Sequence, residues 1–168
     1  ARPLYCFPTF GLLGIGIAAV TLGLARGAMD TLIELAGGKT PQGSSKPLAL
    51  RAKAHLDVSE AEALTRSARA FLMESIDAAW DGAVREGEIA VAHRLDIRLA
   101  TTHAVRAATR AVDLMYTLAG GSSVYRNSPL QRQFRDVHVA TQHMMVSDAT
   151  FELTGRLLLG VPANTAML

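Results

Sequence analysis

An all-α fold is what this sequence predicts: an up-and-down antiparallel four-helix bundle with long helices and a split last helix. Three observations carry that expectation. Alanine and leucine dominate while aromatics make up 5% of the chain, a balance that favours helix over sheet. Small and apolar residues recur at 3,4 spacing over stretches far longer than an average helix of ~11–12 residues. No segment alternates apolar and polar residues as a half-buried strand does.

The first helix is expected from about Phe10 to Ala36, stopped by the glycine pair Gly37-Gly38. Gly11, Gly14, Ala18, Thr21, Ala25 and Ala28 form a narrow small-residue stripe against which another helix can pack closely. The run "FGLLGIGIAAVTLGLA" (10–25) is apolar almost throughout. A membrane span needs ~20 such residues. This run is shorter, contains Thr21, and meets Arg26 and Asp30 without leaving the helical pattern, so it reads as a buried helix and not a membrane segment.

The loop "GGKTPQGSSKP" (37–47) carries turn chemistry. A second helix is expected from Pro47 to about Arg85, capped by Ser45, with Pro47 in its first turn where the missing N–H costs nothing. Ala54, Val58, Ala61, Thr65, Ala68, Leu72, Ser75 and Ala79 form its inward line. The third covers about Ile89 to Ala119, with Ile97, Ala100, Ala104, Ala107, Ala111 and Leu114 inward, and Gly120-Gly121 ends it. The fourth is divided. Ser128-Pro129 starts "LQRQFRDVHVA"; Ser147 caps "DATFELTGRLLL", which Gly160 and Pro162 close. A helix of about 38 residues spans ~57 Å, and rods of that length bury their stripes by lying side by side.

Composition narrows the function classes. Hydrophobic residues are 49% and charged residues 19% of the 168 positions, which fits one globular domain. The net charge is +2 with no dense basic block, so no nucleic-acid partner is expected. A single cysteine, Cys6, excludes an internal disulfide and a cysteine metal cluster, and fits a reducing cytoplasm. There is no paired Glu-x-x-His, no His-Glu-x-x-His and no Gly-x-Ser-x-Gly elbow, so no metal site is expected. His55, His93 and His103 read as solvated or core residues. The chain begins at Ala1, not methionine, and "ARPLYCFP" resembles a linker entering a helix. A fragment of a longer protein is the expectation.

Two stretches carry candidate chemistry. In "AGGSSVYRNSPLQRQFRD" (119–136) a glycine pair lets backbone N–H groups approach an anion, and serine hydroxyls add donors. A plain helix C-cap followed by a turn accounts for the same glycines. In "RDVHVATQHMMVSD" (135–148) the helical rhythm falters around His143. Either the imidazole is aimed into a pocket from a turn, or it is buried against a backbone carbonyl.

The long bundle, the "GGSSVY" break, "SPLQRQFRD" and "TQH" together resemble the C-terminal domain of the acyl-CoA dehydrogenase superfamily, and within it the branch of two-component flavin-dependent monooxygenases. The resemblance runs from "PTFGLLGIGIAAVTLGLARGA" through "KTPQGSSKPLA" to "FELTGRLLLG". It implies a four-helix bundle that normally follows an N-terminal helical domain and a middle β-domain. It implies a flavin cofactor, FAD or FMN, whose phosphates meet Gly120, Gly121, Ser122 and Ser123, often those of a neighbouring subunit. Lys39 and Thr40 match the positions that present a basic residue to the same phosphates, although the dehydrogenases commonly have arginine and phenylalanine there. Arg135-Asp136 matches an "RD" pair that holds the bundle together. His143 matches the histidine placed beside the reactive edge of the flavin, suited to hydrogen-bond the oxygenated cofactor or take a phenolic proton. Dehydrogenases commonly carry a catalytic glutamate one position later, where this chain has Met144. The expected activity is hydroxylation of an aromatic or polycyclic small molecule with reduced flavin and O2, served by a separate reductase. An acyl-CoA dehydrogenase with its base elsewhere and a non-catalytic assembly module are the alternatives. A homo-oligomer, dimer or tetramer, is expected from surplus apolar surface, including the small-residue stripe of the first helix, and the isolated domain is expected to show little activity.

Overall fold

The computed structural model describes residues 2–168, which hold no strand; Ala1 lies outside the described residues. Five α-helices follow one another: α1 (Thr9–Gly38), α2 (Ala52–Glu86), α3 (Val91–Ala119), α4 (Pro129–Thr141) and α5 (Asp148–Leu158). Short 3-10 turns at Leu48–Leu50, Gly120–Ser122 and Met144–Val146 sit at three of the joints.

The core shows which way each rod runs. At one end Phe7 meets Ala79, Ala83 and Ile97. In the middle Ala18 and Leu22 meet Ala68, Leu72, Ala100 and Ala104. At the far end Ala28 and Leu32 meet Ala54, Ala61, Ala111 and Met115, joined by Leu130 and Val137 of α4. Residue numbers rise along α1 and α3 while they fall along α2, so α2 is antiparallel to both. Val139 and Ala140 return toward the start of α1, which makes α4 the second descending rod. This is the expected up-and-down bundle with a split last helix.

The bundle is centred on α3, which lies along both α1 and α2 and carries α4 and α5. Side-chain size explains why. The predicted stripe of α1, Gly11 to Ala28, is buried throughout and faces an equally small face of α3: Ala100, Ala104, Ala108 and Ala111. Two faces with so few carbons let the backbones come close. A Cβ built on Gly14 would stand 3.2 Å from Arg98 Nη1 and from Thr101 Oγ1. The stripe is therefore consumed inside the chain, which corrects its expected part in self-association. By length and composition α1 could cross a membrane, but here its small-residue face is core.

Several boundaries differ from expectation. α1 runs through Gly38, neither glycine of the pair has a positive φ, and the chain stops at Lys39 by turning extended (φ −91°, ψ 126°). α2 starts at Ala52, not Pro47. The Leu48 N–H donates to Lys39 O at 2.8 Å and the Leu48 side chain is buried, so this stretch is tied to the loop and cannot wind into the helix. Ser45 caps nothing in α2; Arg51 holds the N-cap position without a side-chain bond. Asp57 takes an inward slot beside half-buried Val58, its carboxylate meeting Lys53 Nζ at 2.6 Å. α3 starts at Val91, with Ile89 buried just before it. Ser147 occupies the N-cap of α5, but its hydroxyl donates to Met144 O at 3.0 Å instead of capping.

Candidate functional site

The glycine turn after α3 and the loop after α1 meet. Lys39 Nζ donates to Ala119 O and, at 2.7 Å, to Ser122 Oγ, joining residues some eighty positions apart. The contact has an electrostatic cause, because the last carbonyls of a helix form its negative end and attract a cation. Ser123 is buried, and its hydroxyl and N–H both reach Gly120 O, at 2.6 and 2.9 Å. Gly120 adopts φ 55° and ψ −140°, a conformation that an L side chain rarely takes. A Cβ added to Gly120 or Gly121 would meet nothing within 4 Å, so the turn is open to an approaching group. Thr40 is exposed beside Lys39. With two acceptors already engaged, the ammonium keeps one donor for a third partner. An exposed glycine backbone, a lysine and nearby hydroxyls fit an anion such as a phosphate.

His143 lies at another corner. α4 ends at Thr141, and His143 (φ −74°, ψ 130°) starts the 3-10 turn Met144–Val146. Its Nδ1 accepts the Met145 N–H at 3.2 Å, so the neutral imidazole carries its proton on Nε2. The side chain is exposed, which overturns the reading of a buried imidazole satisfied by a carbonyl. It sits on a groove of about 420 Å³ formed by Leu12, Leu13, Gly16, Ile17 and Val20 of α1 with Val139 and Ala140 of α4. Val20 is 63% and Val139 71% exposed, so this is an apolar wall facing outward, with one imidazole among its lining residues. Such a wall suits a flat ring laid against it.

The two corners are separated along α1. Val20 and Lys39 are 19 positions apart, which is ~28 Å of helical rise. Arg135 and Asp136 are both exposed, so the expected "RD" pair does not hold this bundle together. Its place is taken by His138 Nε2 and Asp113 Oδ1 at 2.8 Å and by Phe134 stacked 4.3 Å from Tyr116, which pin α4 to α3. His55 is structural: its Nε2 lies 2.8 Å from Ala49 O.

Residues 15–148 match the family model for the acyl-CoA dehydrogenase C-terminal domain. The chain belongs to this family. The match includes both the Lys39 loop with its glycine turn and the His143 break. Among curated relatives, the indole-3-acetate monooxygenase of Pseudomonas putida is 35% identical over 95% of this chain and 41% of its own length. The oxygenase component of p-hydroxyphenylacetate 3-hydroxylase from Acinetobacter baumannii is 27% identical over 91% of the chain and 36% of its own. Among solved structures, XiaF from Streptomyces sp. in complex with FADH2 and glycerol superposes with a TM-score of 0.89 at 22% identity, covering 96% of this chain and 41% of that one. The chain thus spans about two fifths of the length of the relatives it matches.

One feature of this acyl-CoA dehydrogenase C-terminal domain was not anticipated from sequence. Arg98, on the inward face of α3, is 3% exposed and, among the described residues, faces no carboxylate partner. Burial pushes its pKa down from the usual arginine value. The available signal was an arginine one position after the inward Ile97. A pocket beside His143 is one of the two sequence expectations, but that α1 supplies its wall is not; the signal for it is that α1 is apolar nearly all round, more than one packed face requires.

Proposed function

We propose that this domain is the C-terminal part of a flavin-dependent monooxygenase that hydroxylates an aromatic or polycyclic small molecule. The observation that carries the reading is the outward apolar groove with His143 on its wall. The overall reaction consumes O2, two electrons and two protons; one oxygen enters the substrate and the other leaves as water. Reduced flavin, when bound, supplies the two electrons.

The chain's own residues have separable tasks. Leu12, Leu13, Ile17, Val20 and Val139 form an apolar wall that excludes water and receives a flat ring. His143 Nε2–H donates a hydrogen bond at that wall; with the ring rotated to free a nitrogen, it takes the proton of a phenolic substrate. Lys39, Thr40, Gly120, Gly121, Ser122 and Ser123 hold the phosphates of FAD or FMN. Because the corners lie ~28 Å apart along α1, the phosphate corner serves a second copy of the chain, which makes the protein a homo-oligomer, dimer or tetramer. A separate flavin reductase supplies the reduced cofactor, as the "oxygenase component" in one relative's name suggests. Preceding domains complete the cover over the flavin, and the isolated domain turns over little. A reducing cytoplasm is the setting, with no membrane or nucleic-acid partner.

An acyl-CoA dehydrogenase needs a carboxylate base, and the residue after His143 is Met144. The test uses the full-length parent protein, given either reduced flavin with O2 and phenolic or indolic substrates, or acyl-CoA with an electron acceptor. Oxygen-dependent hydroxylation is expected. The His143→Ala variant should lose at least a hundredfold in product formation while keeping its helical circular dichroism and melting temperature. Desaturation of acyl-CoA, or unchanged hydroxylation by His143→Ala, would overturn the reading.

A further inference from the structure

A buried guanidinium is costly to keep unless something depends on it, because leucine or methionine would fill the same space without desolvating a charge. Arg98 makes no ion pair among the described residues, and its Nε has no hydrogen-bond partner. Its other donors reach three separate segments. Nη1 lies 3.4 Å from Phe10 O in the first turn of α1 and 3.9 Å from Met145 Sδ in the turn after His143. Nη2 donates to Thr150 Oγ1 at 3.2 Å in the first turn of α5. Thr150 Oγ1 in turn donates to Met145 O at 3.4 Å. The hydroxyls of Thr101 and Thr102 both donate to Arg98 O, at 3.1 and 3.0 Å, and Gly14 leaves the space that the guanidinium occupies.

These contacts converge on Met145. Its side chain and carbonyl are held by Arg98 and Thr150, and its N–H is the group that His143 Nδ1 accepts. We infer that Arg98 is a positioning residue: through Met145 it fixes the turn that directs His143 Nε2–H into the apolar groove. Its contribution to turnover rests on the monooxygenase reading; its hold on the turn stands without it. The guanidinium fits because its planar fork spreads fixed donors over a wider span than a compact ammonium does, so it meets acceptors on three segments at once. Its charge is incidental to the ring it aims, which it does not touch.

The experiment compares wild type with Arg98→Met, Arg98→Lys and Thr150→Val in the full-length protein. Hydrogen exchange read by mass spectrometry should accelerate at least tenfold in residues 142–150 of Arg98→Met and change less than twofold in the central turns of α2 and α3. Product formed per reduced flavin consumed should fall at least tenfold, the balance appearing as hydrogen peroxide, with the substrate KM within twofold of wild type. Arg98→Lys, which can reach only some of the acceptors, should lie between. Thr150→Val removes one link without a buried charge and should shift the same two readouts in the same direction if Arg98→Met fails to fold. Exchange that rises uniformly along the chain, or stays unchanged at 142–150 in folded variants, overturns the inference. So does unchanged coupling in an active enzyme whose turn has loosened. Variants that loosen as expected, beside a wild type that hydroxylates nothing, sink the monooxygenase reading and leave the hold on the turn standing.

Discussion

At the scale of single residues, the glycine turn separates a conformational demand from a spatial one. Gly120 has φ 55° and open space, whereas Gly121 has open space without a positive φ. Gly120→Ala must force an L residue into a region it avoids, at a cost of about 1–3 kcal/mol. In a chain of this length that lowers the melting temperature by ~2–4 °C per kcal/mol. Gly121→Ala should change stability by no more than about 0.5 kcal/mol. If a phosphate approaches that backbone, Gly121→Ala should still weaken flavin binding, because its methyl group occupies the path of approach. Urea denaturation and a flavin fluorescence titration measure the two effects. A Gly121→Ala protein with wild-type flavin affinity would remove the turn from the cofactor site and leave it as a helix end.

At the scale of elements, the start of α2 tests how local signals lose to tertiary ties. Arg51 has the extended φ/ψ of an N-cap (−98°, 133°) but no side-chain bond to the exposed helix N–H groups. Arg51→Asp supplies an acceptor and places negative charge at the positive end of the dipole, and should stabilise the protein by about 1 kcal/mol. Thermal denaturation checks this, and an unchanged melting temperature would place the true cap elsewhere. Ser45 and Pro47 were the better caps by composition, yet buried Leu48 anchors the loop and moves the start to Ala52. Helix existence and direction were legible because alanine stripes at 3,4 spacing have few alternatives. The stops were less so: Gly37-Gly38 looks like a terminator but winds as helix, and Lys39 turns the chain. The break at His143 was legible as a lapse in rhythm, and the structure puts that lapse on a 3-10 turn. The meeting of Lys39 with Ser122 was not legible from spacing, since no local pattern links positions so far apart, and only the family resemblance brought them together. Arg98 was illegible because its three acceptors come from three segments that only the folded chain assembles.

At the scale of the whole molecule, the centring on α3 leaves α1 and α2 parted along their outer side. Apolar clefts line that side at Leu32, Ile33 and Val58 and again at Leu22, Leu72 and Met73. Arg26 and Glu62, 2.8 Å apart, bridge it between them, and Arg66 stands nearby. Mixed charges around apolar clefts suit a second copy of the same surface, the self-complementary arrangement of a two-fold dimer. If the phosphate corner serves that second copy, as proposed, each active site takes Lys39 from one chain and His143 from another. This makes a prediction that a mixing experiment decides. Full-length Lys39→Ala and His143→Ala should each be inactive alone. When the two are unfolded together and refolded, hybrid dimers form in which one site carries both defects and the other carries neither. Random pairing then restores about a quarter of wild-type sites, measurable as regained hydroxylation. If each site were built from one chain, every site in every hybrid would keep one defect, and mixing would restore nothing. Ile33→Asp with Met73→Asp adds the converse. It should yield smaller particles by light scattering and weakened flavin binding, although Lys39, Gly121 and His143 are untouched. Recovery on mixing together with retained affinity in the dissociated form would contradict each other, so the two measurements check the shared site from opposite sides.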